Sequence, residues 1–140
     1  FRKKIINMIL GIGTDLCDIR RIEKVLARFG ERFTNRIFDY QECEKAKSKL
    51  KPAHSYAQGF AAKEACAKAL GTGFCQGVFW RDMVIRNLDT GQPFVTIKRG
   101  ALMRLEAITP QHMEAQINIS QSDEYPYAHA IVIISADRSK

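Results

Sequence analysis

Long hydrophobic stretches are missing from this sequence. No run of about 18 apolar residues occurs, so no membrane-spanning helix is expected. Paired cysteines are missing as well. Cys17, Cys43, Cys66 and Cys75 form no CxxC pair and the three histidines are scattered, which argues against a structural zinc centre. The thiols read as reduced and mostly buried, the pattern of a cytoplasmic protein. No internal repeat, low-complexity tract or second domain interrupts the chain. The stretch before Met8 is basic, but Gly11, Gly13 and Asp15 follow and no small-residue cleavage site is present, so it is a poor secretory signal. Residues 1–7 read as an N-terminal extension, with Met8 as the natural start of a single domain, 8–140.

What remains is an ordinary globular balance. The 140 residues are 46% hydrophobic and 26% charged, enough to bury a core without disulfide or metal staples. The formal net charge is +7. That favours an acidic or phosphate-rich partner. A nucleic-acid module would interleave aromatics with basic residues on an exposed face. Phe29 and Phe33 fall at positions that predict burial, so no nucleic-acid partner is expected.

Local signals predict a mixed chain. Met8 to Thr14 is apolar and glycine-punctuated, the pattern of a buried strand emerging into a turn at Asp15. Asp18 suits the N-cap of a helix over about Ile19 to Phe29, with Ile22, Val25, Leu26 and Phe29 as its apolar stripe. Arg20, Arg21, Lys24 and Arg28 cover the rest, and Arg32 and Arg36 extend the basic face past Gly30. Asp39 caps a second helix through about Lys47, and Ser48 to Pro52 reads as a connector. A long, alanine-rich helix runs from about His54 to Leu70 and stops at Gly71. Met83–Arg86 and Pro93–Ile97 bracket Asp89-Thr90-Gly91 as a hairpin. A short helix is expected over Gly100 to Ala107. Strands over Glu114–Ile119 and Ala130–Ala136 close the chain, joined by a polar loop around Ser122 to Pro126. This order is α+β.

Two segments carry candidate chemistry. In Gly11-Ile12-Gly13-Thr14-Asp15 the carboxylate just past a strand is placed either to hold a metal or to bond its own turn. The glycines are not a dinucleotide fingerprint, because Leu16 stands where a third is needed. In Phe60-Ala61-Ala62-Lys63-Glu64-Ala65-Cys66-Ala67-Lys68, Glu64 and Lys68 share a helix face. They are either an exposed ion pair or a charged stripe on a largely buried helix. Gly71-Thr72-Gly73 stops that helix or offers amides to phosphate oxygens. Taken together, two carboxylates suit Mg²⁺ and a lysine supplies a point charge for phosphate.

These paired motifs, with Asp82-Met83-Val84-Ile85, Asp89 to Pro93, Ile119-Ser120 and Asp123-Glu124-Tyr125, resemble the small bacterial type of 4′-phosphopantetheinyl transferase, the holo-acyl-carrier-protein synthases. The resemblance spans Met8 to about Ala136. It implies an antiparallel sheet packed with a long central helix, subunits assembled as a homotrimer, and transfer of the phosphopantetheine arm of coenzyme A to a serine of acyl carrier protein in support of fatty acid biosynthesis. Asp15 and Glu64 match the family's Mg²⁺ ligands, Lys68 a catalytic lysine near the pyrophosphate, and Arg21 a basic residue of docking and catalysis. Glu64 is also the candidate base. Gly71, Thr72 and Gly73 match the loop against coenzyme A, and Arg21, Arg28 and Arg32 are positioned for an acidic carrier. Two departures stand out: Gly59 where arginine is frequent, and Gln121 where histidine is frequent. A member that kept the fold and lost activity is the rival reading, against which Asp15, Glu64 and Lys68 are all intact.

Overall fold

The structure, a computed structural model, describes residues 7–138. The expected extension therefore falls outside the described residues except for Asn7, which belongs to the first strand. The elements are β1 (Asn7–Asp18), α1 (Ile19–Phe29), α2 (Glu31–Ile37), α3 (Tyr40–Lys47), α4 (Pro52–Ala69), β2 (Met83–Asn87), β3 (Pro93–Ile97), α5 (Arg99–Ile108), β4 (Met113–Glu124) and β5 (Tyr127–Arg138). A single 3-10 turn at Trp80–Asp82 precedes β2. The α+β expectation holds. Three antiparallel strands are ordered β1-β5-β4, and β2 and β3 form a separate hairpin.

Helix α4 lies across one face of the three-stranded sheet. Its alanines make this possible: Ala57, Ala61, Ala62, Ala65, Ala67 and Ala69 are buried. Facing them from β5 are Ala128, Ala130, Val132, Ile134 and Ala136, alternating along the strand as a half-buried strand must. On β1 the same face is even barer. A Cβ on Gly11 would stand 1.9 Å from the Ala69 carbonyl oxygen, and one on Gly13 would stand 1.8 Å from that of Ala65. Backbone therefore packs on backbone. Gly13→Ala is expected to cost about 1–3 kcal/mol by forcing the strand off the helix, read as a lowered urea midpoint. An unchanged midpoint would reject this account of the glycines.

Several boundaries differ from expectation. β1 continues through Asp15 to Asp18, paired with β5 along its length, so Asp15 is a strand residue and the turn alternative falls. β4 and β5 extend through the supposed polar loop, leaving only Tyr125-Pro126 as the connection. Pro52 opens α4 at its first turn, where the missing N–H is no loss. Glu31–Ile37 is a helix of its own, entered at Gly30 with φ 51°. Phe29 is 41% exposed rather than part of the stripe. The guanidinium groups of Arg28 and Arg32 lie 5.0 and 6.0 Å from its ring centre.

Both expected caps form. Asp18 accepts from the Arg20 amide at 3.0 Å. Asp39 accepts from the Glu42 amide at 2.8 Å while Glu42 Oε1 accepts from the Asp39 amide at 3.0 Å, a capping box.

Candidate active site

The close glycine–alanine packing positions the candidate site. Gly11, Gly13 and Asp15 share one face of β1. Gly11 meets Ala69 and Gly13 meets Ala65, so strand and helix run in opposite senses. Asp15 then emerges beside the charged stripe of α4. Lys68 Nζ donates to Asp15 Oδ1 at 3.0 Å and to the Thr14 carbonyl at 2.9 Å. Its side chain is half exposed, against 15% for Asp15. Glu64 is near enough to Asp15 that the two carboxylates repel. Burial, that repulsion second, raises the Glu64 pKa above the ordinary carboxylate value, and Lys68 partly offsets both. The pair expected between Glu64 and Lys68 on one helix is thus a three-membered cluster reaching into the sheet.

Cys17, two residues on, is buried in the same neighbourhood. Burial, then Asp15, pushes its thiol up to about 11, with Arg21 pulling the other way. It is protonated at neutral pH and is no nucleophile. Arg21, exposed on α1, is close enough to act on that thiol. Arg28 and Arg32 lie farther along, around Phe29.

The glycine loop does the first of the two things its sequence allowed: it stops the helix. Gly71 has φ 80° at the position after the α4 C-cap. Its amide donates to the Lys68 carbonyl at 3.0 Å, and that of Gly73 donates to the Ala67 carbonyl at 3.1 Å. Two of the loop's amides are therefore spent on closing the helix and are not available to phosphate. At Gly71 and Gly73, which have no side chains, a ligand can approach the backbone closely.

The sequence motif contains a second lysine whose role was not anticipated. Lys63 is fully buried and donates to Glu42 Oε1 at 2.8 Å, the Ile37 carbonyl at 2.7 Å and the Trp80 carbonyl at 3.3 Å. It points away from Glu64 and Lys68 into the α2–α3 junction. The departures at 59 and 121 also have structural reasons. A Cβ on Gly59 would stand 3.0 Å from the ring of Phe38, and Gln121 Nε2 donates to the Gln58 carbonyl at 3.1 Å, tying β4 to α4. A concavity of about 500 Å³ at that end of α4 is lined by Lys45, Lys49, Lys51 and His54. Glu42 and Asp123 line it as well, and it contains none of the Asp15 cluster.

Among the described residues, no three of His, Cys, Asp and Glu gather to hold a metal by themselves. Two carboxylates are what Asp15 and Glu64 provide. That donor set fits Mg²⁺, which takes one or two carboxylates and completes its shell with phosphate oxygens and water.

The profile of the 4′-phosphopantetheinyl transferase superfamily matches residues 11–130. This chain belongs to that superfamily. The holo-[acyl-carrier-protein] synthase of Azorhizobium caulinodans is 55% identical over 130 residues, which are 93% of this chain and 96% of the relative. The Phenylobacterium zucineum enzyme of the same name is 57% identical over 129 residues, 92% and 94% of the two chains. Among solved structures, the Neisseria meningitidis synthase superposes with TM-score 0.80 at 35% identity, covering 91% of this chain and 98% of that one. The Helicobacter pylori synthase in complex with coenzyme A gives TM-score 0.74 at 29% identity, covering 88% and 98%. The two solved synthases share the overall fold of this chain. Among the described residues no helix is long and apolar enough to cross a membrane.

Proposed function

We infer that this chain is a holo-[acyl-carrier-protein] synthase. It transfers 4′-phosphopantetheine from coenzyme A to a serine of apo-acyl carrier protein and releases 3′,5′-ADP, in support of fatty acid biosynthesis. The observation that carries this is the convergence of Asp15, Glu64 and Lys68, within a superfamily profile that spans most of the chain. The serine oxygen attacks the β-phosphorus of coenzyme A. The bond from that phosphorus to the bridging oxygen breaks, and the serine proton passes to a base. Positioning and electrostatics provide most of the acceleration in such a transfer.

Lys68 is half exposed and reaches Asp15 only through its flexible terminus, so it is free to turn toward an arriving diphosphate and stabilise charge on the leaving oxygen. Glu64 binds its proton more tightly than an ordinary carboxylate, which suits a base for the serine hydroxyl. Asp15 and Glu64 would hold Mg²⁺, whose charge, when bound, offsets that of the diphosphate oxygens. Gly71, Thr72 and Gly73 let coenzyme A approach the end of α4. All four cysteines are free, in keeping with a cytoplasmic enzyme.

The decisive test is mass spectrometry of apo-acyl carrier protein incubated with this protein, coenzyme A and Mg²⁺. The phosphopantetheine mass is expected on the serine, and chelation should abolish it. An unmodified carrier would reject the assignment.

Arg21, Arg28 and Arg32 form the docking face for the acidic carrier. Reversing charge in Arg28→Glu/Arg32→Glu is expected to raise the carrier KM about tenfold or more at low salt, with the loss shrinking as salt screens it. The coenzyme A KM should stay put, and an unmoved carrier KM would reject this face. Phe29 between the two arginines is an aromatic among basic residues on the surface, the feature a nucleic-acid module needs. Absence of salt-sensitive RNA or DNA retention separates the two readings.

The homotrimer implied by the family resemblance would use the uncovered face of the sheet as its subunit contact. Ile12 and Leu16 of β1 are exposed there, opposite Ile133 and His129 of β5. Sedimentation is expected to give three times the 15.9 kDa chain mass. Ile12→Asp/Leu16→Asp should shift the protein to monomer, and trimeric sedimentation of that variant would place the contacts elsewhere.

A further inference from the structure

The loop between α4 and the 3-10 turn has few internal ties and an unusual backbone. Gly71, Gly73, Gln76 and Gly77 take φ of 80°, 58°, 55° and 82°. The loop's own bonds are few: the two helix-closing amides, the Thr72 hydroxyl on the Gly73 carbonyl at 2.9 Å, and the Val78 amide on the Cys75 carbonyl at 3.2 Å. The three glycines take positive φ freely and leave the segment pliable, and Gln76 keeps its positive φ only where the surroundings impose it, so the shape of the loop depends on contacts from outside the segment.

That support comes from α5. Arg104 Nε donates to the Leu70 carbonyl at 2.8 Å, placing a cation on the C-terminus of α4, where the helix dipole favours it. Its terminal nitrogen borders Gly71, only 3.2 Å from where a Cβ would stand. Gly100 abuts the far end of the loop so tightly that a Cβ would fall 1.8 Å from the Gly77 carbonyl oxygen.

Beyond the loop, Asp82 is 2% exposed. It accepts from the Phe79 amide at 3.1 Å and from Arg99 Nε at 2.9 Å, and its carbonyl accepts from the Lys98 amide at 2.7 Å. Arg99 also donates to the Arg81 carbonyl at 2.9 Å. To make these bonds Arg99 adopts φ 46°, a conformation that a non-glycine residue keeps only when its surroundings impose it.

We propose that Arg104, together with the Arg99–Asp82 pair, positions the Gly71–Gly77 loop for coenzyme A, so that α5 acts as a splint on the substrate side of the enzyme. These are positioning residues; the proposal rests on the reading that this loop lies against coenzyme A. Arg104 holds the entry to the loop and Arg99 the exit. Gly100 fixes the spacing between them.

The test joins two measurements on Arg104→Gln, Arg104→Lys and Arg99→Gly; the last suits the positive φ and releases Asp82 without adding strain. Hydrogen exchange on the protein without coenzyme is expected to quicken across residues 71–78 in the Gln and Gly variants while β5 is unaffected. Steady-state kinetics should then show the coenzyme A KM raised about tenfold, as a small misplacement of a binding segment produces, with the carrier KM unchanged. Arg104→Lys should recover much of both effects. Unaltered exchange in the loop would overturn the splint itself. Quickened exchange with an unmoved coenzyme A KM would instead overturn the loop's place in coenzyme binding, leaving the mechanical role of α5 intact but the proposal refuted.

Discussion

Lys63→Met is expected to destabilise the fold by about 3–5 kcal/mol, the range seen when one partner of a buried ion pair is removed. Methionine keeps the length and apolar body of the side chain, so cavity formation contributes little. The loss falls on the groups left behind. Glu42 has a nearly buried side chain, 7% exposed, and would keep a charge with no cation beside it. The Ile37 and Trp80 carbonyls would each lose a donor. Phe38 would lose the ammonium that stands 5.0 Å from its ring centre.

Burial lowers the Lys63 pKa from the usual lysine value while Glu42 opposes the shift. The pair is thus held against its own desolvation, which is why breaking it is costly even though forming it contributes little. Glu42 cannot be relieved simply by turning away. Oε1 also takes the Asp39 amide of the capping box, and Oε2 takes the Ile85 amide at 3.2 Å, so α2, α3, α4 and β2 all meet at this one pair. Urea unfolding of Lys63→Met, Glu42→Gln and the double variant gives the check. The double variant should be more stable than Lys63→Met alone, because no unpaired charge remains. A Lys63→Met protein as stable as the parent would show that the pair can be dispensed with.

Lys63 also shows where sequence reading reached its limit. The motif has two lysines five residues apart, and nothing local distinguishes the one aimed at the site from the one aimed at the core. Only the packing direction of α4 decides it. Features set within a few residues were legible: the Asp18 and Asp39 caps, the Asp89-Thr90-Gly91 hairpin, the Gly71 stop and the alanine face of α4. Features set by distant partners were not. Asp15 reads as a turn residue until β5 pairs with it, and the strand beneath it is extended because Gly11 and Gly13 must lie flat on α4. Phe29 fits a helical stripe by spacing, yet α1 ends there, and the ring is left at the surface between two arginines. Gly59 and Gln121 stand out by residue type alone as departures from the arginine and histidine frequent in the family. In the fold, the first makes room for Phe38 and the second ties β4 to α4.

The remaining large effect concerns the carboxylates. Asp15→Asn and Glu64→Gln are each expected to lower kcat about 10²–10³-fold, the scale on which removal of one electrostatic group is felt in such sites. Their effects on stability should differ from their effects on activity. The Glu64 carboxyl binds its proton more tightly folded than unfolded, through burial first and Asp15 second. The native state therefore binds the extra proton, and this group's contribution to stability declines as pH rises from the unfolded carboxylate value through the raised folded one. At neutral pH the charged form is a burden on the metal-free fold. Glu64→Gln should consequently melt at a higher temperature than the parent at pH 7, and the gain should vanish below the ordinary carboxylate range, where both states are protonated. A side chain whose removal strengthens the fold and disables the reaction is retained for chemistry. Thermal melts across pH, paired with the transfer assay, decide the matter. A Glu64→Gln protein that is less stable than the parent at pH 7, or one that transfers at the parental rate, would mean that Glu64 belongs to the scaffold and not to the reaction.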